Sequence, residues 1–297
     1  MKAPPISYAA AESVEEAVAL LTEHGDDAKV LAGGQSLLPM LNLRLAQPGV
    51  LVDIGRIEEL RHSGVTEEGG RLCGSLTTHR ELEMGAVPSL GDVAVLRTAA
   101  SHIGHLPIRT QGTIGGSIAH ADSASEWCVL ALALDAVIHV RGTGGARRMP
   151  AESFFHGFFS TALEPDEIIT GIEFPVTGSS SANFEEYARR SGDFAIVASA
   201  VALDLREGRC ESARIALGGV AGAPIRLPEV ERLAEGHRFA GPDDEAVREL
   251  AHACAEAIDP PSDVHASSTY RKRLTEVLVS RAVAGCLRHD DSEGGRR

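Results

Sequence analysis

Two glycine pairs are the residues best suited to chemistry in this chain. Ala32-Gly33-Gly34-Gln35-Ser36 and Thr113-Ile114-Gly115-Gly116-Ser117 each set two glycines among small or hydroxyl-bearing neighbours. Consecutive backbone N–H groups with no β-carbon in the way let a diphosphate approach and accept its charge. Ser36 precedes Leu37-Leu38, where a helix start would add N–H groups, and Ser36, Thr113 and Ser117 carry hydroxyl donors. A single Gly-Gly turn between strand and helix is usually structural. Two in one domain predict loops that face each other across one anionic ligand. Neither pair forms a Gly-x-Gly-x-x-Gly fingerprint or a Walker loop ending in Gly-Lys-Ser/Thr, so a dinucleotide here needs another architecture.

Downstream lies His120-Ala121-Asp122-Ser123-Ala124-Ser125-Glu126. Asp122 and Glu126 are four apart, so one helical turn would put both carboxylates on one face. There they could accept hydrogen bonds from ribityl or ribose hydroxyls. Acidic residues at a helix start also simply favour its dipole, and the spacing leaves both readings open. His120 reads as a polar loop residue before it reads as a general base. One His beside two carboxylates does not specify a metal site, and no Ser-His-Asp arrangement is recognisable, so no catalytic or metal-ligating residue is assigned.

The composition narrows the function classes. With 297 residues, two domains are the natural expectation. The formal charge of −14, from 28 basic and 42 acidic residues, opposes a nucleic-acid partner. No apolar run approaches the roughly 18 residues of a membrane span, and the start has no apolar signal segment, so a cytoplasmic protein is expected. Cys73, Cys128, Cys210, Cys254 and Cys286 are scattered, with no C-x-x-C pair. An iron–sulfur cluster or structural zinc site on this chain needs clustered thiolates, so neither is expected.

The elements that must position the glycine pairs follow from the pattern. Ser13-Val14-Glu15-Glu16 predicts a capped helix over 14–24 that stops at Gly25. Lys29 to Ala32 reads as a strand that runs into Gly33-Gly34, and 49–54 and 72–76 read as further strands. Thr78-His79-Arg80-Glu81 opens a short helix; 89–102 and 126–134 read as helices, and 112–120 as a Gly-rich loop. Ala136 to Arg141, a Gly142–Gly145 hairpin turn and a strand over 168–174 follow. Thr177-Gly178-Ser179-Ser180-Ser181 reads as a linker. Strands over 195–205 and 209–217 come next, then helices. In the last of these Tyr270, Leu274, Val277, Leu278 and Arg281 lie on one largely apolar stripe. Strands and helices mix without strict βαβ alternation, which predicts α+β architecture for both domains. The expected organisation is 1–177, 178–288 and a polar tail, 289–297, without ordered structure.

These motifs match a known pattern. Leu31 to Met40 and Thr113 to Ser117 resemble the FAD-binding medium subunit of the xanthine dehydrogenase and carbon monoxide dehydrogenase (molybdenum hydroxylase) family. Leu76-Thr77-Thr78-His79, Ile108 to Gly112, Ala162 to Ile169, Arg189 to Ala195 and Tyr270 to Leu274 extend the match over about residues 3–285. The resemblance implies an FAD-binding domain of the vanillyl-alcohol-oxidase/cresol-methylhydroxylase type, then a smaller carbon monoxide dehydrogenase flavoprotein-like domain. It implies that Leu31, Ala32, Gly33, Gly34, Gln35 and Ser36, with Thr113, Ile114, Gly115, Gly116 and Ser117, hold the FAD pyrophosphate. Asp122 and Glu126 would lie near the ribityl and ribose, Ile169 near the flavin, and Tyr187 by the isoalloxazine ring. It implies an iron–sulfur small subunit and a molybdopterin large subunit as partners, in a dimer of heterotrimers. Electrons would leave the FAD for NAD⁺, a quinone or oxygen. Ser117 stands where relatives often have Asn, Ser123 where Pro is frequent, and Glu185-Glu186 where many have a Lys. Two rival readings remain: a self-contained FAD-dependent oxidoreductase with its own substrate pocket, for which His120 and Arg189-Arg190 are the candidate groups, and a scaffold subunit without FAD.

Overall fold

A computed structural model of the chain describes residues 2–91, 93–175, 180–241 and 243–294. Helix α1 (Val14–His24) begins where Ser13 accepts a hydrogen bond from the Glu16 N–H at 3.1 Å. It ends at Gly25, whose φ of +52° suits glycine. Val14, Ala17, Val18 and Leu21 form its buried face. That face covers a parallel sheet of β1 (Ser7–Ala10), β2 (Ala28–Leu31) and β3 (Val50–Asp53), in the order β1-β3-β2. The central strand, β3, is the continuous apolar run, as burial on both sides demands. Beyond β2 the chain turns through the first glycine pair into the short helix α2 (Leu37–Asn42).

Five strands form the second sheet: β4 (Gly64–Val65), β5 (Arg71–Gly74), β6 (Val137–Gly142), β7 (Gly145–Pro150) and β10 (Ile168–Phe174). Their order is β4-β5-β10-β6-β7, and every pairing is antiparallel. A small hairpin, β8 (Phe155–Gly157) and β9 (Ser160–Thr161), precedes β10. Between β5 and β6 come α3 (His79–Glu83), α4 (Val95–His102), α5 (Leu106–Arg109), α6 (Ile114–His120) and α7 (Glu126–Ala133). Thr78 and Glu81 make a complete capping box at α3. Helix α4 is shorter than the 89–102 pattern predicts, because its first turn is a 3-10 turn at Pro88–Leu90.

The third sheet is antiparallel: β11 (Ser180–Tyr187), β12 (Val197–Arg206), β13 (Arg209–Gly218) and β14 (Ile225–Arg226). Helices α8 (Pro228–Ala234), α9 (Glu245–Glu256) and α10 (Ser268–Gly294) complete the chain's described part. Trp127 to Ala133 of α7 are all buried, because α7 packs on β12 and β13 as well as on its own sheet's core. The architecture is the mixed α+β one that the sequence pattern predicts.

Three expectations need correction. Of the expected linker, Thr177, Gly178 and Ser179 lie outside the described residues, and Ser180 and Ser181 already belong to β11. The α10 stripe is rotated: Leu278 is buried, but Tyr270 and Val277 are exposed. Its inner face is Arg271, Thr275, Leu278, Val279, Ala282, Val283 and Cys286. The small side chains among these let the helix approach β11 and β12 closely, and of the expected stripe Tyr270 and Val277 are left outside. The α10 backbone runs on to Gly294, so the polar residues from 289 to 294 extend a helix where an unstructured tail was expected.

Candidate functional site

One cavity of about 740 Å³ lies against both glycine pairs. That is within the roughly 300–1,000 Å³ of small-molecule sites. Ala32, Gly33, Gly34, Gln35 and Ser36 line it on one side, and Thr113, Gly115, Gly116 and Ser117 on the other. Asp122, Glu126 and Ile169 line it too. Twelve of the fifteen residues expected at the site therefore share one space.

The two glycine segments do different things. In the first, Gly34 has a φ of +71° and the chain then enters the right-handed region at Ser36. Among the described residues, no acceptor pairs with the backbone N–H groups of Gly33, Gly34, Gln35 and Ser36. Successive unpaired N–H groups in such a turn make an anion-binding concavity.

The second segment is not a loop but the start of helix α6. Thr113 caps it, its Oγ1 accepting from Gly116 N–H at 3.1 Å. The Ile114 N–H donates to Thr77 O at 3.0 Å, Gly115 N–H to Ser75 O at 2.9 Å, and Ser117 N–H to Thr113 O at 3.0 Å. These N–H groups are engaged, so this side offers close approach rather than an open row of donors. A β-carbon on Gly115 would strike Ser75, at 2.5 Å from its Cβ. Gly116 faces the first loop: a β-carbon added to it would lie 3.8 Å from the Ala32 Cβ. The Ser117 hydroxyl is shared with Ser125 Oγ at 2.8 Å.

Leu31 and Ile114 do not line the cavity. Leu31 ends β2, its carbonyl taken by the Ile54 N–H at 3.0 Å, and Ile114 is wholly buried in the core. Both support the loops from behind. Tyr187 also lies outside: side chains alternate along β11, and Tyr187 points away from Glu186 to meet Tyr270, ring centroids 6.3 Å apart. The segment that reaches the cavity comes after it, Gly192-Asp193-Phe194, with the Phe194 side chain 73% exposed.

Two further lining residues, His79 and Phe159, carry no site signal in the sequence. His79 is buried, and the Trp127 indole N–H donates to its Nδ1 at 3.0 Å. An indole can only donate, so the neutral ring carries its proton on Nε2. Burial, helped by nearby Arg109, lowers this imidazole to about 4. Phe159, at the tip of the β8–β9 hairpin with a φ of +50°, lies over His120 with ring centroids 4.8 Å apart. Burial lowers His120, and Asp122 opposes that shift. Glu126 is pushed up to about 8, first by burial, then by Glu186 and Asp122. Asp122 Oδ1 accepts from the Ala124 N–H at 2.9 Å.

These features fit a flavin dinucleotide. The unpaired N–H groups suit a diphosphate, and the buried Ser75 hydroxyl at the cavity wall has no partner of its own. Exposed Lys29 is the lysine on the lining. Residues 4–177 match the family model described as the FAD binding domain in molybdopterin dehydrogenase. The chain belongs to that family. Residues 182–285 of the flavoprotein match a second model, the CO dehydrogenase flavoprotein C-terminal domain.

The flavoprotein is 39% identical to the 6-hydroxypseudooxynicotine dehydrogenase complex subunit alpha of Paenarthrobacter nicotinovorans, over 97% of this chain and 96% of that protein. It is 36% identical to the carbon monoxide dehydrogenase medium chain of Hydrogenophaga pseudoflava, over 94% and 96% of the two chains. Among solved structures, that organism's carbon monoxide dehydrogenase lacking the Mo-pyranopterin moiety superposes with a TM-score of 0.91 at 35% identity, covering 98% of this chain and 99% of that one. Quinoline 2-oxidoreductase from Pseudomonas putida 86 gives 0.91 at 33% identity, over 98% and 99%. The flavoprotein is thus an oxidoreductase subunit of the medium, FAD-binding type found in molybdenum hydroxylase complexes. Among the described residues no group of His, Cys, Asp or Glu could hold a metal ion, all five cysteines are buried free thiols, and no helix is long and apolar enough to cross a membrane.

Proposed function

We propose that this flavoprotein takes electrons from an iron–sulfur small subunit and passes them through its FAD to NAD⁺, a quinone or oxygen. A molybdopterin large subunit oxidises the substrate in this reading. The assembly is a dimer of heterotrimers in the cytoplasm. The unit that holds FAD is 1–177, and 178–288 closes the cavity through Gly192 to Phe194. The bound flavin supplies the redox chemistry, accepting electrons singly or in pairs.

The chain's own residues bind and orient it. The N–H groups of Gly33 to Ser36 donate to the diphosphate, while Gly116 lets it approach α6. Asp122 and Glu126 face the ribityl and ribose hydroxyls. Ile169 supplies an apolar wall, and Phe194 stands at the mouth. No acid–base pair of this chain acts on an organic substrate. The observation that carries this reading is the set of four unpaired N–H groups opposite Gly116 in one cavity. The structure of the FAD-loaded protein tests it. We expect the diphosphate oxygens within hydrogen-bond distance of those N–H groups; a diphosphate seated elsewhere would overturn the assignment. Reduction of the intact complex by substrate, followed by mixing with each acceptor in turn, identifies where the electrons go.

A further inference from the structure

The segment from Ser75 to His79 is zipped onto the chain that leads into α6. The His79 N–H donates to Gly112 O at 3.0 Å, the Ile114 N–H to Thr77 O at 3.0 Å, and the Gly115 N–H to Ser75 O at 2.9 Å. Both ends of the segment, Ser75 and His79, are buried and line the cavity. His79 has no part in holding the cofactor as described above. Its ring is fixed from two sides. The Trp127 indole N–H donates to Nδ1 at 3.0 Å, and Trp127 is itself packed in the core, so this donor cannot swing away. On the opposite edge Nε2 lies against Gly112, where a β-carbon would come 2.7 Å from it. A β-carbon on Gly33 would in turn come 2.9 Å from the Gly112 Cα. His79, Gly112 and Gly33 thus follow one another along the lining, and the imidazole edge stands next to the first glycine loop.

An indole has no lone pair to offer, so Nδ1 is the acceptor and Nε2 carries the proton. Among the described residues no acceptor pairs with that Nε2–H. A buried donor left without an acceptor costs free energy. The Ser75 Oγ on the same wall is also buried without a partner. Two unmatched polar groups on one wall point to a ligand rich in acceptors. A diphosphate offers acceptors alone, whereas sugar hydroxyls bring donors of their own, and the adjacent loop is the one with the free N–H groups. Burial and the Arg109 guanidinium keep the ring neutral, so it contributes an oriented N–H and not a charge. We propose that His79 donates its Nε2–H to an oxygen of the cofactor diphosphate, held in that tautomer by Trp127.

His79 is then a binding residue, and Trp127, which does not line the cavity, positions it. The two bonds form a chain, indole to imidazole to phosphate, in which each polarises the next. The inference rests on the cavity being the FAD site.

Nuclear magnetic resonance of the FAD-loaded, full-length protein, uniformly labelled with nitrogen-15, tests the contact without a variant. We expect the His79 proton on Nε2, and a scalar coupling from that nitrogen across the hydrogen bond to a phosphorus of the diphosphate. A proton on Nδ1, or an Nε2 without coupling to phosphorus, overturns the proposal. Couplings from the amides of Gly33 to Ser36 to phosphorus report the cavity assignment separately. If those are present and the imidazole coupling is absent, the site stands and this inference fails; a protein that retains no FAD overturns the site itself. Variants then test the two roles by FAD titration. His79→Phe keeps a ring without the donor, and FAD should bind roughly ten- to a hundredfold more weakly, the worth of a hydrogen bond to a charged group. Trp127→Phe removes the lock, so the imidazole should populate its Nδ1–H form and FAD affinity should fall by about tenfold. In the His79→Phe background, Trp127→Phe should weaken FAD binding no further; a second loss of the same size overturns the positioning role.

Discussion

The carbonyl oxygen of Gln111 occupies the space that a β-carbon on Gly33 would need. The first glycine loop thus packs backbone against backbone on the segment that leads into α6. Neither side can yield by rotating a side chain, so only glycine fits at this position. Gly116 is different. Its hypothetical β-carbon meets Thr113 Oγ1 at 2.9 Å and then the Ala32 Cβ at 3.8 Å. The added atom would enter the gap between the two glycine segments.

Gly33→Ala and Gly116→Ala should therefore fail in different ways. We expect Gly33→Ala to lower stability by about 1–3 kcal/mol, the usual cost of overpacking, and to lose FAD because the loop is displaced. Gly116→Ala should cost less, up to about 1 kcal/mol through the displaced Thr113 cap, and bind FAD weakly because the approach is blocked. Thermal unfolding of the FAD-free proteins, with FAD titrations beside it, separates the two. Equal destabilisation with unchanged FAD affinity in Gly116→Ala would count against the cavity as the diphosphate site.

The Thr113 cap gives a second test. Its Oγ1 holds the Gly116 N–H at 3.1 Å. We expect Thr113→Val, which keeps the shape and removes the acceptor, to cost about 1 kcal/mol. FAD affinity should fall with it, because α6 then frays where Gly115 and Gly116 sit. Thr113→Ser should restore both. Denaturant unfolding and FAD titration of the three proteins check the pairing of effects.

Much of this arrangement was legible in the sequence, and the reasons for the rest are physical. Capping boxes and apolar runs are local, so α1, α3 and β10 fall where the residues say. The second glycine pair reads as a loop because glycine is a poor helix former. The signal that could have found α6 is the Thr113 cap together with Ile114 and Ile118, four apart and both wholly buried. His79 opens a legible helix, but its contact with Trp127 spans 48 residues and no local pattern carries that. Tyr187 meets Tyr270 across to α10, and Phe194 lies in the loop after β11, so neither placement has a local signal in the sequence.

His79 carries a pH dependence whose sign follows from its burial. Its folded-state value is about 4, against 6.5 when free, so the unfolded chain binds the proton more tightly. Stability is full above 6.5 and is lost as pH falls from there to about 4. At 1.36 kcal/mol per unit the loss approaches roughly 3 kcal/mol. His79→Gln keeps an acceptor for Trp127 but cannot titrate. We expect urea unfolding at stepped pH to show a shallower decline in this variant than in the wild type. Parallel declines would place the acid sensitivity on other groups.

Phe194 is the reverse of a core residue: 73% exposed, yet on the cavity lining. A side chain so exposed contributes little to folding, so Phe194→Ala should change stability by no more than about 0.5 kcal/mol. As a lining residue it is expected to limit contact between the flavin and solvent. We expect the variant to fold and retain FAD, with the flavin more easily quenched by small solutes such as iodide and reacting faster with small external oxidants after reduction. Quenching constants and stopped-flow reoxidation rates measure these two effects directly. If both match the wild type while FAD is retained, Phe194 does not guard the ring, and the isoalloxazine must lie deeper along the cavity toward Ile169.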